Sequence, residues 1–212
     1  MKSDKQIKEI VDKANLLLNE KDYKGALPLF EELSEIFIDH FHTLYNICLC
    51  YFHLEDFKKT RDFLDNMDKK FPLNTQINFL KGFCYEKEND FVKANDFYKK
   101  ALKIDKTHFE SWIRSAVCHR AQKDYDNAIN LFSYAYTNFG NRFDVLQDLI
   151  LTLLEKGDLE KAMSILEEYT SKDPDNKLAK QYLAQVYHQI PGKKQLAIDI
   201  ETEISGKIDF ND

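Results

Sequence analysis

The sequence predicts an all-α fold built from stacked antiparallel helix pairs. Gly and Pro together are 10 of 212 residues, about 5%, so the chain is poor in the residues that mark the turns of β-sandwiches. Charged residues make up 31% and hydrophobic residues 43%, which is typical of a folded chain rather than a disordered one. The third observation is an internal repeat of 34 residues, which fixes how the helices are organised.

The repeat is visible as an aspartate followed by a large side chain. The five pairs, each 34 residues from the next, are Asp22-Tyr23, Asp56-Phe57, Asp90-Phe91, Asp124-Tyr125 and Asp158-Leu159. A small or short side chain follows each aspartate by four residues and a large one follows by eight, so both lie on one helix face. We predict that each aspartate caps the helix that begins after it.

A second helical pattern precedes each aspartate, with spacings of 4, 3 and 7 that mark one helix face. Each unit is therefore predicted to be two helices joined by a tight turn. The five predicted units span residues 7–40, 41–74, 75–108, 109–142 and 143–176. Residues 177–205 follow as a degenerate sixth unit that loses register at Pro191-Gly192, as expected of a capping repeat. We expect residues 1–6 to be a flexible tail and residues 206–212 a loose acidic tail.

These columns resemble the tetratricopeptide repeat. Residues 109–142 supply Trp112, Ala116, Ala128 and Phe132 in the family's aromatic and small positions, and residues 41–74 close on Pro72. Armadillo and HEAT units are longer, at about 40–47 residues. The resemblance implies a right-handed α-solenoid, a superhelix whose first helices line a concave groove. Partners usually bind that groove as extended peptides or helices.

Net charge and hydropathy limit the classes of partner that the chain is expected to bind. The chain carries 30 Lys and Arg against 36 Asp and Glu, a net charge of −6, which disfavours nucleic acid. No stretch approaches the roughly 20 apolar residues that span a bilayer, and no early apolar run indicates a signal peptide. We therefore expect a cytoplasmic protein with a protein or peptide partner, and with neither nucleic acid nor membrane as a partner.

The cysteines and histidines do not form a reactive pattern. Cys50, Cys84 and Cys118 lie 34 residues apart, in one column of successive first helices. Such positions are about 10 Å apart, too far to share a metal ion, so buried packing is the expected role. His42 and His53 are too far apart on one helix, and His40 with His42 could share an ion only from a loop. We predict no catalytic residues, no cofactor and no metal site.

The candidate binding site is the predicted groove. Matching the family's groove columns selects Asn15, His42, Tyr45, Asn46, Leu49, Phe52, Phe79, Phe83, Arg114 and Arg120. Exposed apolar clusters of this size usually bind something, although packing on neighbouring helices explains the aromatic residues equally well. Asn15 and Asn46 match the asparagines of the family's carboxylate clamp. The clamp's basic positions hold Val11, Gln76 and Leu80, so chaperone tails are not the expected ligand.

The sequence thus favours a non-catalytic protein-interaction scaffold or co-chaperone that captures a peptide or helix in the groove. Two alternatives stay open. One is a structural protein that self-assembles into a homo-oligomer, and the other is a regulatory subunit of an enzyme complex.

Overall fold

The computed structural model describes residues 2–206 of the chain, and this part contains twelve α-helices and no strand. The predicted all-α class is confirmed. The helices are α1 (Asp4–Asn19), α2 (Tyr23–Ile36), α3 (Phe41–His53), α4 (Phe57–Lys70), α5 (Thr75–Lys87), α6 (Phe91–Ile104), α7 (Phe109–Ala121), α8 (Tyr125–Asn138), α9 (Phe143–Lys156), α10 (Leu159–Lys172), α11 (Lys177–Gln189) and α12 (Lys194–Gly206). Each of the five predicted units contributes one consecutive helix pair.

The turn inside each unit follows one design, but the predicted N-cap is wrong for Asp124, whose side chain makes no cap hydrogen bond. Asp22, Asp56, Asp90 and Asp158 accept a hydrogen bond from the backbone N–H three residues later, at 2.9–3.3 Å, as predicted for N-caps. The residue before each repeat aspartate has a positive φ of 61–83°; these residues are Lys21, Glu55, Asn89, Lys123 and Gly157. One left-handed residue reverses the chain and the aspartate then satisfies a free N–H, so the connection needs few glycines.

The chain divides into two compact units, residues 1–118 and residues 119–212, with the boundary inside α7. In the first unit, the small column of the repeat controls how closely helices pack. A Cβ on Gly82 would lie 2.8 Å from Cε1 of the buried Tyr98 and 3.0 Å from the carbonyl oxygen of Ala94. In the second unit, Ile150 and Leu166 occupy the same two columns and are both buried.

The ends of the chain differ from expectation in one respect. Helix α1 begins at Asp4, and Ser3 with Gln6 forms a capping box, so the predicted flexible tail is wrong from Ser3 onward. The predicted acidic tail lies outside the described residues, apart from Gly206, which ends α12. None of the described helices combines the length and apolar character needed to cross a bilayer.

Candidate functional site

A cavity of about 300 Å³ lies between α1 and α3 in the first unit, above α2. It brings together three predicted site residues, Asn15 from α1 with His42 and Asn46 from α3. The remaining lining residues are Val11, Phe30, Leu33, Phe37, His40 and Thr43. We call this the α1–α3 cavity. It exists because the repeat places the first helices of neighbouring units side by side, with the second helix as a floor.

The floor of the α1–α3 cavity is apolar and its rim is polar. Phe30 and Leu33 are buried beneath it, whereas Asn15 and His42 are exposed. The rings of Phe37 and His42 flank that of His40, with centroids 6.1 and 5.8 Å away. The His40 ring is held at the start of α3 by a 2.9 Å contact between Nδ1 and Thr43 Oγ1. A large apolar side chain fits such a pocket, and asparagine amides can bond to a peptide backbone beside it.

The predicted aromatic residues pack chiefly on one another. The ring of Phe52 lies 4.8 Å from that of Phe83, and the rings of Phe79 and Phe83 are 6.0 Å apart. Phe52 is only 6% exposed because the stacked Phe83 ring covers it, so the packing alternative describes Phe52. Tyr45 and Leu49 are half-buried against the same core. Burial, with a smaller effect of Cys48, raises the pKa of Tyr45 to about 12.

Arg114 lies directly on this aromatic cluster. Its guanidinium carbon is 4.7 Å from the centroid of Phe83, and Nη1 donates to Glu86 Oε1 at 3.0 Å. The other Glu86 oxygen accepts from the Tyr98 hydroxyl at 2.6 Å, and the Glu86 side chain is 11% exposed. Glu86 is therefore engaged at both oxygens and faces inward, whereas the Arg114 side chain is 38% exposed.

A second cation, which the sequence analysis missed, shares the ring of Phe83. Lys87 Nζ lies 5.3 Å from the ring centroid, and the Lys87 side chain is exposed. The available signal was the spacing of four residues between Phe83 and Lys87, which makes them neighbours on one helix face. We call Phe83, Lys87 and Arg114 the Phe83 cation site.

Arg120, the last predicted site residue, belongs to the unit formed by residues 119–212. Its Nη1 donates to Asp148 Oδ1 at 3.0 Å, and its guanidinium carbon lies 5.7 Å from the centroid of Phe132. Within that unit, Arg120 joins α7 to α9. In the same unit, Arg142 Nη2 donates to Asp144 Oδ2 at 2.6 Å.

The four cysteines are buried, as their column predicts, and they are not in disulfides. Burial raises the pKa of Cys50 to about 11 and of Cys48, Cys84 and Cys118 to about 12, which disfavours the reactive thiolate. Cys48 Sγ lies 3.6 Å from Met67 Sδ, an ordinary core contact. Across residues 2–206, no three His, Cys, Asp or Glu side chains come close enough to hold a metal ion.

Comparison with known proteins identifies the family. Two tetratricopeptide repeat models match the chain, one over residues 75–108 and the other over residues 119–186. No curated protein matches the chain in sequence. With the helix pairs and the 34-residue columns described above, these matches show that the chain belongs to the tetratricopeptide repeat family.

Solved structures support the same fold. The C-terminal part of a tetratricopeptide repeat protein from Cytophaga hutchinsonii has a TM-score of 0.76 at 13% identity, covering 92% of this chain and 79% of the other. MamA has a TM-score of 0.66 at 12% identity, covering 79% and 92%. YrrB, described as having an unusual peptide-binding site, has a TM-score of 0.64 at 16% identity, covering 82% and 91%. Tetratricopeptide repeats, the family that the sequence models match, typically serve as protein-interaction scaffolds.

Proposed function

We propose that the chain is a non-catalytic scaffold that binds a peptide segment of a protein partner on the first-helix face of residues 1–118. The observation that carries this proposal is the α1–α3 cavity, where Asn15, His42 and Asn46 converge over an apolar floor. The family supports a protein ligand, and the peptide-binding site reported for YrrB shows that a similar fold can hold a peptide. A large apolar side chain of the peptide would fill the cavity while Asn15 and Asn46 bond to its backbone.

The test is selection of displayed random peptides of about twelve residues, which reach roughly 40 Å when extended. Selected peptides are then synthesised, and their Kd is measured by fluorescence anisotropy against the wild-type chain and Asn15→Trp. The added indole should fill the cavity and weaken binding by about a hundredfold, since truncating or blocking a central anchor costs about 2 kcal/mol or more.

The matched control is Asn66→Trp, because Asn66 is also an exposed helical asparagine but lies on the second helix α4. It should leave the Kd within about twofold of the wild-type value. Equal Kd values for Asn15→Trp and the wild-type chain would place peptide binding elsewhere and refute the proposal. Circular dichroism of both variants checks that their helix content is unchanged.

A further inference from the structure

The Phe83 cation site places two positive side chains on the first-helix face. Lys87 Nζ and Arg114 Cζ are 5.3 and 4.7 Å from one ring centroid, so they are at most 10 Å apart. Arg114 uses Nη1 for Glu86, and Glu86 faces inward toward Tyr98. Lys87 and the remaining donors of Arg114 therefore present positive charge beside an apolar ring, although the whole chain carries a net charge of −6.

A neighbouring histidine also experiences this positive charge. The ring of His53, at the end of α3, stacks on Tyr23 with centroids 4.1 Å apart. Its pKa is lowered, first by burial and then by the charges of Lys21 and Lys87. Lys21, just after α1, and Lys87, in the last turn of α5, thus both act on the C-terminal end of α3.

We propose that the Phe83 cation site selects an acidic side chain of the bound peptide, so that the partner segment combines a large apolar anchor with an Asp or Glu a few residues away. This rests on the proposed function, because the apolar anchor is the residue that fills the α1–α3 cavity. Charge complementarity identifies the occupant: a carboxylate gains from both cations, whereas a basic residue is repelled by them. The acidic remainder of the chain disfavours other docking sites for such a segment.

The geometry also sets the spacing within the peptide. Phe83 stands 34 residues after Leu49, so it occupies the position of Leu49 on the next first helix, about one helix diameter of 10 Å away. The α1–α3 cavity lies on the opposite side of α3, between α1 and α3. The two sites are therefore roughly 15 Å apart, which an extended peptide spans with about four to five residues.

The first experiment reads the acidic preference directly from the peptides selected on the wild-type chain. Asp or Glu should be enriched at about four or five residues from a large apolar residue. Each acidic peptide is then compared with its twin carrying Asn or Gln instead. The acidic form should bind about five- to tenfold more tightly at low salt, and the advantage should shrink as ionic strength rises.

The second experiment changes the protein. Lys87→Glu should raise the Kd of the acidic peptide by about tenfold and restore tight binding to a twin carrying Lys at the acidic position. Lys100→Glu is the matched control: Lys100 Nζ also lies over an aromatic ring, at 4.4 Å from the centroid of Phe97, but it is exposed on the second helix α6. Both variants change the net charge equally, so only a local effect separates them.

The outcomes distinguish the two proposals. If peptides bind and Asn15→Trp blocks them, but Lys87→Glu behaves like Lys100→Glu, the acidic selection is refuted while the proposed function stands. If selected peptides bind independently of Asn15→Trp, the proposed function itself fails. Sedimentation of the chain at rising concentration adds a further outcome. If the chain forms a dimer that both Asn15→Trp and Lys87→Glu dissociate, a second copy of the chain occupies the two sites and the assignment to a peptide is overturned.

Discussion

In residues 1–118, Gly82 packs against Tyr98 between the two helices of one pair, whereas in residues 119–212 the same two columns hold Ile150 and Leu166. All four residues are buried. The first unit therefore pairs a glycine with a large aromatic ring, and the second pairs two aliphatic side chains of intermediate size. The comparison shows that equivalent columns of the repeat become fully buried with different pairs of side chains.

The two units also differ in where they leave space. The first has its α1–α3 cavity between first helices, with an apolar floor. The second has a cavity of about 350 Å³ beside its second helices, where α8 supplies Ser133 and Tyr136 and α10 supplies Glu168 and Lys172. The first cavity has Phe30 and Leu33 as its floor, whereas the second is lined by the charged side chains of Glu168 and Lys172. This contrast is why we assign peptide binding to residues 1–118.

The largest expected effect on stability comes from Ile150→Ala. Ile150 is 1% exposed, so the substitution leaves a cavity and should lower the free energy of unfolding by about 2–4 kcal/mol. Hydrogen exchange followed by mass spectrometry should show the loss of protection mainly in residues 119–206, because repeat stability is set locally. Ile198→Ala, at a position 40% exposed in the same unit, should change protection little. An equal loss of protection in both variants would show that the burial of Ile150 does not determine the effect.

Gly82→Ala should have the next largest effect on stability, because it adds an atom to a tightly packed contact rather than removing atoms from the core. The new Cβ would meet the Tyr98 ring at 2.8 Å, so the first unit is overpacked and should lose about 1–3 kcal/mol despite the better helix propensity of alanine. Urea unfolding monitored by circular dichroism measures the loss. Gly206→Ala, where no atom lies within 4 Å, serves as the control. If Gly82→Ala were as stable as the wild-type chain, the close approach of the two helices would not be required.

The smallest expected effect is a loss of folding stability at acidic pH. Hydrogen bonds from Lys59 to Asp56, and from Lys93 to Asp90, hold the pKa of both cap carboxyls below its ordinary value. A lowered folded-state pKa means that this contribution to stability is fully present at neutral pH and is lost as the pH falls below about 4. The urea midpoint should therefore fall in that range, and less steeply for the double variant Asp56→Asn, Asp90→Asn.

In the second unit, Asp124 gives a contrasting case. Asn127 and then His119 lower the pKa of its carboxyl, and the His119 contact, Nδ1 to Oδ2, is 2.8 Å. Asp124→Asn removes the carboxylate that contacts His119 as well as a titrating group. A urea midpoint that responds identically to pH in the Asp56/Asp90 and Asp124 variants would show that the cap bonds of Asp56 and Asp90 contribute no more to the pH dependence than the contacts of Asp124 with His119 and Asn127.

Local rules made most of the architecture predictable. The aspartate columns located four N-caps that bond as expected, and the helical spacing located both helices of each unit. The buried role of Cys50, Cys84 and Cys118 followed from a shared column. These features depend on residues within one or two turns of each other, which is information that a single sequence contains.

The candidate site was only partly predictable. Column matching selected Asn15, His42 and Asn46 but could not show that they border one cavity with Phe37 and His40. It left open whether Phe52 lines the groove or packs on neighbouring helices, whereas in the structure the ring of Phe83 covers Phe52. Lys87 was missed because a lysine on a helix is usually a solvated charge, and its meaning depends on the ring beneath it.

By itself, the sequence determined the helix pairs, their period of 34 residues and the turn that joins them, because hydrogen bonding and helix periodicity act over a few residues. Only the tertiary structure decided which side chains of equivalent columns are exposed, where a cavity opens between α1 and α3, and which ring brings Lys87 and Arg114 together. Those outcomes depend on the volumes and directions of side chains from different helices, and packing resolves them only when the helices are in contact.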